Sequence, residues 1–224
     1  MAGSQKILVT GATGNTGSML VPALVSSGVD VRALVRDESK AQALRDSGVE
    51  VVIGDLDKPE SLSAAVDGVD RIFLLTWNGP AAEQQGKNLI DAAAKAGTPH
   101  VVKLSGYGSE KSRITVQHNA IEAYLSASGL PTTIVKPTFF MQNVMMASQT
   151  VASDGMIYMP FGEGKVGMID IRDIADASHT VLTTDGHVGK EYVLTGPESI
   201  SFNDSPTQAS PEGSTETGVI ISRA

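Results

Sequence analysis

Short runs of apolar and β-branched residues alternate with longer segments of helical periodicity over most of the chain. Most of these runs are apolar at consecutive positions, as in "VVI", "IFLL" and "TIV", and do not alternate with polar residues. Only a strand that is covered on both faces needs such a pattern, so the runs predict a parallel sheet between layers of helices. The predicted strands are residues 6–10, 29–35, 49–53, 71–75, 100–104 and 132–136.

The segments between the strands predict helices that end at a glycine. Gly28, Gly97 and Gly129 each follow a segment of helical periodicity, and glycine is typical of the position after a helix C-terminus. In "DKPE", Asp57 precedes Glu60 at the spacing of a capping box, which predicts a further helix start. Repeated β-α units of this kind indicate an α/β protein with a doubly wound parallel Rossmann sheet.

The chain changes character twice after the sixth predicted strand. The segment "FFMQNVMMASQTVA" predicts a helix near the pocket whose large apolar side chains fill the core, with a wall of the substrate pocket as the alternative. These side chains are Phe140, Met141, Met145 and Met146. From residue 204 the chain is rich in Ser, Thr, Pro and Gly, which predicts a flexible tail. We therefore expect a Rossmann core at 1–136, further Rossmann elements with part of a substrate lobe at 137–203, and the tail at 204–224.

Composition narrows the classes of function. The chain has 224 residues, of which 41% are hydrophobic, enough for one sizeable core. Its formal net charge of −8 disfavours binding to nucleic acid or to an anionic membrane surface. With no cysteine and only four well-separated histidines, we expect neither disulfides nor a bound metal. No apolar run is long enough to span a bilayer and the first residues do not resemble a signal peptide, so the sequence predicts a cytoplasmic protein.

The first predicted strand runs into a glycine-rich turn, "VTGATGNTG", that precedes a helix. Its three glycines permit a tight turn, close approach to a pyrophosphate and packing of the helix on the strand. The helix N-terminus then offers unpaired N–H groups to an anion. A purely structural turn is the alternative, but the position in the first β-α unit favours a dinucleotide. The predicted contacts are Gly11, Thr13, Gly14, Asn15, Thr16 and Gly17.

The end of the second predicted strand bears on which dinucleotide binds. Arg36 follows this strand, and Lys40 lies one turn further along the chain. An arginine here can pair with the 2′-phosphate of NADP, whereas an acidic residue would bind the ribose hydroxyl of NAD. The sequence therefore favours NADP(H), and NAD stays possible because Asp37 could accept from a ribose. A solvated Arg36 without a ligand is the remaining alternative.

Two further strand ends carry candidate ligand contacts. Asp55 and Leu56 follow the third strand in "GDLD" and are expected to flank an adenine ring, the first by hydrogen bonding and the second by apolar contact. Thr76 and Trp77 follow the fourth strand, at the edge of the sheet where ligands bind in this architecture. Trp77 either faces the ligand or covers the core under a loop.

Taken together, the motifs resemble one known family. "VTGATGNTG", "VRALVRD", "GDLD", "KLSGYGS", "QHNAIEAYLSASGLPTTIVKPTFFMQN" and "MIDIRDIADA" are similar, in this order, to the NmrA-like branch of the atypical short-chain dehydrogenase/reductases. The resemblance spans residues 6–202 and implies a Rossmann core with a small C-terminal substrate lobe. Members of this branch include NAD(P)H-dependent quinone reductases, reductases of triphenylmethane and azo dyes, and non-catalytic regulators that sense NADP.

The resemblance also bears on catalysis. Ordinary short-chain dehydrogenases use a Tyr-x-x-x-Lys pair, and the similar helix here has His118 and Glu122 at that spacing. The spacing places both side chains on one helix face, where Glu122 could fix the tautomer of His118 or raise its pKa. Without the usual proton relay, a quinone or a conjugated cationic dye is a better hydride acceptor than a simple ketone. His118 could equally do no more than pack beside the nicotinamide.

Further site residues are implied by the same resemblance. Ser105 is similar in position to the substrate-side serine of the family, and Tyr107 is a nearby phenol that could donate a proton. The candidate catalytic residues are thus His118, Tyr107 and Ser105. The segment "KPTFF" is similar to the segment that lines the nicotinamide in the family. The cofactor contacts implied around the nicotinamide are Ser105, Pro137, Thr138 and Phe139.

The resemblance ends near the C-terminus. Family members continue with helices that complete the substrate lobe, whereas this chain begins such a helix at "SFND" and then diverges. We therefore expect a truncated or altered end and an incomplete lobe. The sequence favours an NAD(P)H-dependent reductase of an aromatic, quinone-like or dye-like acceptor. The alternative is a non-catalytic regulator that binds NADP(H) and a protein partner.

Overall fold

The structure, a computed structural model, describes residues 5–147, 164–201 and 219–220. The α-helices in these ranges are α1 (Asn15–Ser26), α2 (Gln42–Asp46), α3 (Ser63–Val66), α4 (Ala82–Ala96), α5 (Arg113–Ala127) and α6 (Ile171–Thr183). Short 3₁₀ helices cover Glu38–Lys40, Pro59–Ser61 and Met141–Ala147. None of the helices in the described ranges is long and apolar enough to cross a lipid bilayer.

The strands form two sheets. In chain order the strands are β1 (Lys6–Val9), β2 (Asp30–Val35), β3 (Glu50–Ile53), β4 (Arg71–Leu74), β5 (His100–Leu104), β6 (Thr132–Pro137), β7 (Phe139–Phe140), β8 (Lys165–Ile169), β9 (Glu191–Leu194), β10 (Ser199–Ser201) and β11 (Val219–Ile220). The larger sheet has the order β11-β9-β6-β5-β4-β1-β2-β3, and the smaller sheet has the order β10-β8-β7. In the larger sheet every pair is parallel except the edge pair of β11 with β9.

This arrangement confirms the doubly wound parallel Rossmann sheet that the sequence predicts. The chain adds β2 and β3 on one side of β1 and then returns to the other side of β1 with β4. The strand order therefore reverses beside β1, and a crevice opens there at the carboxyl ends of the strands. All six predicted strands are present, and their ends agree with the structure to within one residue.

Side chains on the two faces of the larger sheet build two cores. On β1, Ile7 and Val9 point to one face and Leu8 to the other, and all three are fully buried. The first core includes residues of α1 and α6, and the second includes residues of α3, α4 and α5. Helices thus cover both faces of the sheet. This explains why the strands are apolar at consecutive positions, as inferred from the sequence.

One hydroxyl group joins the ends of β1 and β4, where the strand order reverses. Thr10 Oγ1 lies 2.8 Å from both the carbonyl oxygen and the nitrogen of Leu75. The hydroxyl donates to the carbonyl and accepts from the N–H group, and Thr10 is buried. This pair of bonds holds the turn after β1 beside the turn after β4.

The capping box predicted at Asp57 is wrong. Lys58 takes the N-cap position of the 3₁₀ helix Pro59–Ser61, and no side chain caps this helix. The Asp57 carboxylate instead accepts a hydrogen bond from Gln85 Nε2 of α4, at 3.0 Å. A tertiary partner on α4 has therefore replaced the local partner that the sequence spacing indicated.

The segment after β6 differs from the predicted helix. It forms β7 and then the 3₁₀ helix Met141–Ala147, in which Met141 and Met145 are 46% and 70% exposed. The predicted core packing is therefore wrong for these two methionines, whereas Phe140 packs against the first core. The side chain of Met146 lies outside the described residues.

The division of the chain at residues 136 and 203 stays a prediction, and most of the predicted tail lies outside the described residues. Within 137–203 the smaller sheet is attached to the larger one through Thr138, whose hydroxyl donates to Gly167 at 2.8 Å and whose N–H group donates to Leu194 at 2.9 Å. Two residues of the predicted tail form β11, which pairs with β9. An open sheet edge offers unpaired backbone groups to an apolar segment of this kind.

A buried histidine lies at the amino end of β5. His100 Nε2 is 2.8 Å from Thr133 Oγ1, and this hydroxyl donates its own proton to the carbonyl oxygen of His187 at 2.6 Å. The hydroxyl therefore accepts from His100, which is neutral with the proton on Nε2. Burial, with the charges of Arg71 and His187, lowers the pKa of His100 to about 4.

We predict that this histidine weakens the fold in acid. Between about pH 6.5 and 4 the unfolded chain binds a proton at His100 that the folded chain does not, so stability falls as pH falls, by at most about 1.4 kcal/mol per pH unit. In H100Q, an amide N–H group can still donate to Thr133 and the titrating group is gone. Urea unfolding across this pH range should show a shallower fall for H100Q, with H179Q as the control for loss of an imidazole. Parallel pH curves for H100Q and the unsubstituted protein would contradict the assignment.

Candidate cofactor and substrate site

The turn after β1 holds its shape through its glycines. Gly11 has a φ of +66°, a left-handed conformation that favours glycine, and its carbonyl oxygen accepts from the Gly14 N–H group at 2.9 Å. At Gly17 a Cβ would overlap that carbonyl oxygen and lie 2.7 Å from Cα of Ala12. The absence of a side chain at Gly17 thus lets α1 pack on the turn.

Gly14 has a different role in this turn. A Cβ at Gly14 would meet only the Gly11 carbonyl oxygen, at 3.3 Å, and otherwise open space. A Cβ there would be in tight contact with that oxygen, but the backbone is extended, with φ of −86° and ψ of 179°, so its conformation does not require a glycine. The empty space beside Gly14 therefore has the form expected where a ligand approaches the backbone.

The N-terminus of α1 faces this space without a protein cap. Gly14 takes the N-cap position, no side chain caps the helix, and no acidic residue lies in the first turn. Thr13 and Asn15 are exposed on either side of Gly14, and Thr16 and Gly17 are buried behind it. The unpaired N–H groups and the helix dipole suit a phosphate group.

A cavity of about 310 Å³ lies between the glycine turn and the end of β2. It is lined by Thr13, Val35, Arg36, Asp37 and Lys40. Neither cation forms a salt bridge within the described residues. The structure thus brings together the turn and both cations that the sequence assigned to an NADP 2′-phosphate.

Asp37 is already engaged by its own loop. Its Oδ1 accepts from the N–H group of Ser39 at 2.9 Å and caps the 3₁₀ helix Glu38–Lys40. The hydrogen bonds from Ser39, with the charge of Lys40, hold the pKa of the Asp37 carboxyl below its ordinary value. This carboxylate is therefore used in shaping the cavity wall, which weakens the case for it as a ribose acceptor.

Asp55 and Leu56, the predicted adenine contacts, are half-buried after β3. Asp55 Oδ1 accepts from the N–H group of Asp57 at 3.1 Å, and the Leu56 carbonyl oxygen accepts from Asn88 Nδ2 at 2.7 Å. The Leu56 side chain also packs against the second core. These bonds order the loop at the carboxyl edge of the sheet, and contact of either side chain with adenine stays a prediction.

The turn after β4 carries an unsatisfied polar atom. Thr76 is 3% exposed, and its Oγ1 is buried without a hydrogen-bond partner in the described part of the chain. A buried hydroxyl normally has a partner, so this one is left for a group that the described residues do not supply. Trp77 is 80% exposed, which rules out the alternative that it covers the core.

A buried polar cluster lies under the turn after β5. Lys103 of β5 is fully buried, donates from Nζ to the carbonyl oxygen of Leu104, and lies 3.0 Å from His118 Nδ1 of α5. Burial, with the charges of Lys103 and Lys136, lowers the pKa of His118 to about 3. His118 is therefore a neutral imidazole near neutral pH.

Glu122 does not act on His118 in the way the helix spacing indicated. Its Oε1 accepts from the Ser105 hydroxyl, and its Oε2 pairs with Lys136 Nζ at 2.9 Å. Lys136 also pairs with Glu191 of β9 at 2.8 Å. Both expectations for Glu122 are wrong, because its partners come from the turn after β5 and from β6, and the pKa of His118 is lowered rather than raised.

Lys136 has a net raised pKa in this cluster. Burial alone lowers the pKa of its ammonium, but hydrogen bonds to Glu191 and Glu122 more than offset that effect. Lys136 thus stays charged and anchors Glu122, which in turn holds the hydroxyl of Ser105. Ser105 is 5% exposed, so this bond fixes the start of the turn after β5.

The other predicted residues on the nicotinamide side lie around β6. The Tyr107 N–H group donates to the Pro137 carbonyl oxygen at 2.9 Å, and the Tyr107 side chain is 60% exposed. Pro137 is buried at the end of β6, and Thr138 and Phe139 are half-buried after it. The structure brings these residues to the carboxyl edge of the sheet, and their roles in binding or catalysis stay predictions.

Residues 3–204 match the NmrA-like family. The chain is 41% identical over 198 residues to the NAD(P)H azoreductase of Xenophilus azovorans, a match that covers 87% of this chain and 69% of that protein. The chain therefore belongs to the NmrA-like family.

Solved structures agree with this assignment. The triphenylmethane reductase of Citrobacter sp., complexed with NADP(H), is similar with a TM-score of 0.80 and 30% identity, over 89% of this chain and 73% of that one. The NADPH complex of an NADPH-dependent quinone oxidoreductase from Escherichia coli has a TM-score of 0.80 and 28% identity, over 86% of this chain and 70% of that one.

The first prediction for the site concerns Gly14. In G14V the added side chain projects into the space beside the uncapped α1 N-terminus, so NADPH binding should be lost while the fold is kept. Fluorescence titration measures binding, and circular dichroism with thermal melting measures the fold. G14A, with its smaller side chain, should lose less affinity than G14V. NADPH affinity unchanged in a folded G14V protein would show that this turn does not hold the pyrophosphate.

The second prediction concerns Arg36. R36A should weaken NADPH binding by about 1.5–3 kcal/mol, the scale of a charge-assisted hydrogen bond, and should barely change NADH binding. R45A is the matched control, because Arg45 is a nearby surface arginine that pairs with Glu38 and does not line the cavity. Titrations of all three proteins with both cofactors test the assignment. Equal losses for NADPH and NADH in R36A would remove Arg36 from the 2′-phosphate.

Proposed function

We propose that this chain is an NAD(P)H-dependent reductase that transfers hydride to an aromatic acceptor of the quinone or dye type. The observation that carries the proposal is the cavity lined by Arg36 and Lys40 beside the uncapped N-terminus of α1. Its form fits a phosphorylated dinucleotide, and related reductases of azo dyes, triphenylmethane dyes and quinones support the same class.

The residues at the turn after β1 and at the end of β2 fit this cofactor. The α1 N-terminus and the space at Gly14 would hold the pyrophosphate, and Arg36 with Lys40 would hold the 2′-phosphate. Thr76 would give its unpartnered hydroxyl to the same ligand. Bound NADPH supplies the hydride.

The acceptor side of the site offers no charged acid at His118. With a pKa near 3, His118 does not carry an ionisable proton to an alkoxide near neutral pH. An acceptor that spreads or neutralises the incoming negative charge needs no such acid in the hydride step. A quinone delocalises the charge over its ring system, and a cationic dye loses its positive charge.

Exposed apolar side chains near the strand ends support an aromatic acceptor. Trp77 follows β4 and Tyr107 follows the neighbouring β5, and they are 80% and 60% exposed. Met145, in the segment after β6 and β7, is 70% exposed. Aromatic rings and thioethers bind planar aromatic molecules through stacking and dispersion.

We place the activity in the cytoplasm, where NADPH is available and a chain without cysteine needs no oxidising compartment.

Steady-state NADPH oxidation with a panel of acceptors tests the function. We expect turnover with a cationic triphenylmethane dye, an azo dye or a quinone, and none with an aliphatic ketone of similar size. G14V is the matched negative control, because it should lose the cofactor and keep the fold. NADPH binding without oxidation by any acceptor would overturn the reductase proposal and favour a regulator that binds NADP(H) and a protein partner.

A third prediction for the site follows from the neutral state of His118. A positioned general acid contributes roughly 10²–10⁴-fold to a rate, so H118A should reduce turnover of a dye or quinone by less than about tenfold. Measured kcat, KM and NADPH affinity separate lost chemistry from lost binding. A loss of a hundredfold or more in kcat with NADPH affinity intact would make His118 the proton donor.

A further inference from the structure

Lys103 occupies an unusual place for a lysine. It lies within the apolar strand β5, and its side chain is 0% exposed. Among the described residues, its Nζ has two hydrogen-bonding neighbours, the Leu104 carbonyl oxygen and His118 Nδ1 at 3.0 Å. A long cationic side chain buried against so few partners is costly, so its contact with His118 needs an explanation.

The protons in this contact determine the state of the imidazole. An ammonium group has three N–H donors and no acceptor, so His118 Nδ1 accepts from Lys103. A neutral imidazole that accepts at Nδ1 carries its own proton on Nε2. The Lys103 contact therefore selects one of the two neutral tautomers.

The selected N–H group points to the turn after β5. A Cβ built on Gly106 would lie 3.4 Å from His118 Cδ2 and 3.7 Å from Nε2, so this edge of the ring lies against Gly106. Among the described residues, Nε2 has no hydrogen-bond partner, and it is not one of the fully buried unpartnered atoms. The donor is thus available at the carboxyl edge of the sheet, between Ser105 and Tyr107.

We propose that Lys103 is a positioning residue that fixes His118 as the Nε2–H tautomer, so that the imidazole presents a neutral hydrogen-bond donor to the ligand at the turn after β5. The tautomer follows from this contact as long as Lys103 is an ammonium, and it does not depend on the proposed function. The identity of the recipient, an oxygen or nitrogen of the aromatic acceptor, rests on the proposed function.

The surrounding charges make the selection of the His118 tautomer by Lys103 depend on pH. Burial lowers the pKa of Lys103 to about 7, with Glu122 of α5 opposing the shift and Lys136 of β6 adding to it. Below this pKa Lys103 is an ammonium and can only donate to Nδ1. Above it the neutral amine can also accept, so its hold on the tautomer weakens as pH rises. Glu191 of β9 reaches the cluster through Lys136.

Nitrogen-15 spectra of the histidine rings test the tautomer without any ligand or turnover. The chain has four histidines, so the signals of His118 are those that disappear in H118Q. We expect the Nε2–H pattern at about pH 6, with Nδ1 unprotonated, and a shift toward a mixture of tautomers above about pH 8. A dominant Nδ1–H tautomer at pH 6 in the unsubstituted protein would overturn the proposal, whether or not any variant folds.

The K103M variant removes the ammonium and keeps a long apolar side chain. We expect a mixed His118 tautomer at about pH 6 in K103M, and K95M, which changes an exposed lysine on α4, should keep the single tautomer. An unchanged tautomer in a folded K103M protein would also overturn the proposal. Because these spectra need no acceptor, failure here is separate from failure of the reductase assay.

Kinetics extend the test to the acceptor. K103M should reduce kcat/KM for the acceptor by about two- to tenfold with NADPH affinity unchanged, and K103M/H118A should be no slower than H118A alone. Because the hold on the tautomer weakens as Lys103 loses its proton, kcat/KM for the acceptor should fall above about pH 7, and this fall should be absent in K103M. Additive losses in the double variant would show that Lys103 acts independently of His118 and would overturn its positioning role.

Discussion

Parallel pairing is the constraint on which the rest of this structure depends. Because seven strands run the same way, every turn from a strand to the following helix lies at one edge of the sheet. The reversal of strand order beside β1 opens that edge, and the Thr10 hydroxyl holds the turns after β1 and β4 side by side. The glycine turn, Arg36, Thr76 and the cluster at His118 are therefore arranged along one edge of the sheet although they lie far apart in the chain.

The two ends of this edge differ in their electrostatics. At the end of β2 the cations Arg36 and Lys40 line a cavity and make no salt bridge within the described residues, so their charge is available to an anion. At the end of β5 the ammonium of Lys136 is paired with the carboxylates of Glu122 and Glu191, and His118 is neutral. A ligand that spans the edge would meet positive charge at one end and neutral donors at the other. A phosphorylated dinucleotide with a delocalised acceptor has the matching distribution of charge.

The sequence predicts those features that depend on neighbours in the chain. The glycine turn and Arg36 follow from local spacing next to a strand, and the structure places both where the spacing indicates. The partners of Glu122 could not be predicted in this way. Helix spacing places Glu122 near His118. The carboxylate of Glu122 instead forms a direct ion pair with Lys136, which comes from a strand far away in the chain.

Lys103 shows the limit of prediction from a strand pattern. The signal was present as one lysine in the apolar run "HVVKL", but a lysine in a strand is usually solvated at an edge. Only the pairing of β5 between β4 and β6 shows that this side chain is buried. Met141 and Met145 after β6 gave the opposite error, because apolar character alone does not distinguish a core position from an exposed one.

The burial of Lys103 links the stability of the fold to its site. The pKa of this group falls from an ordinary value of 10.5 to about 7, so between these pH values the unfolded chain holds a proton that the folded chain has lost. Folding stability from this group therefore rises as pH rises through that window, and is lowest below about pH 7. The tautomer of His118 is held most firmly in the same acidic range, where Lys103 is charged. The positive charge of Lys103 thus both orients the imidazole of His118 and lowers the stability of the fold. This is expected where a buried group serves a functional site rather than the core.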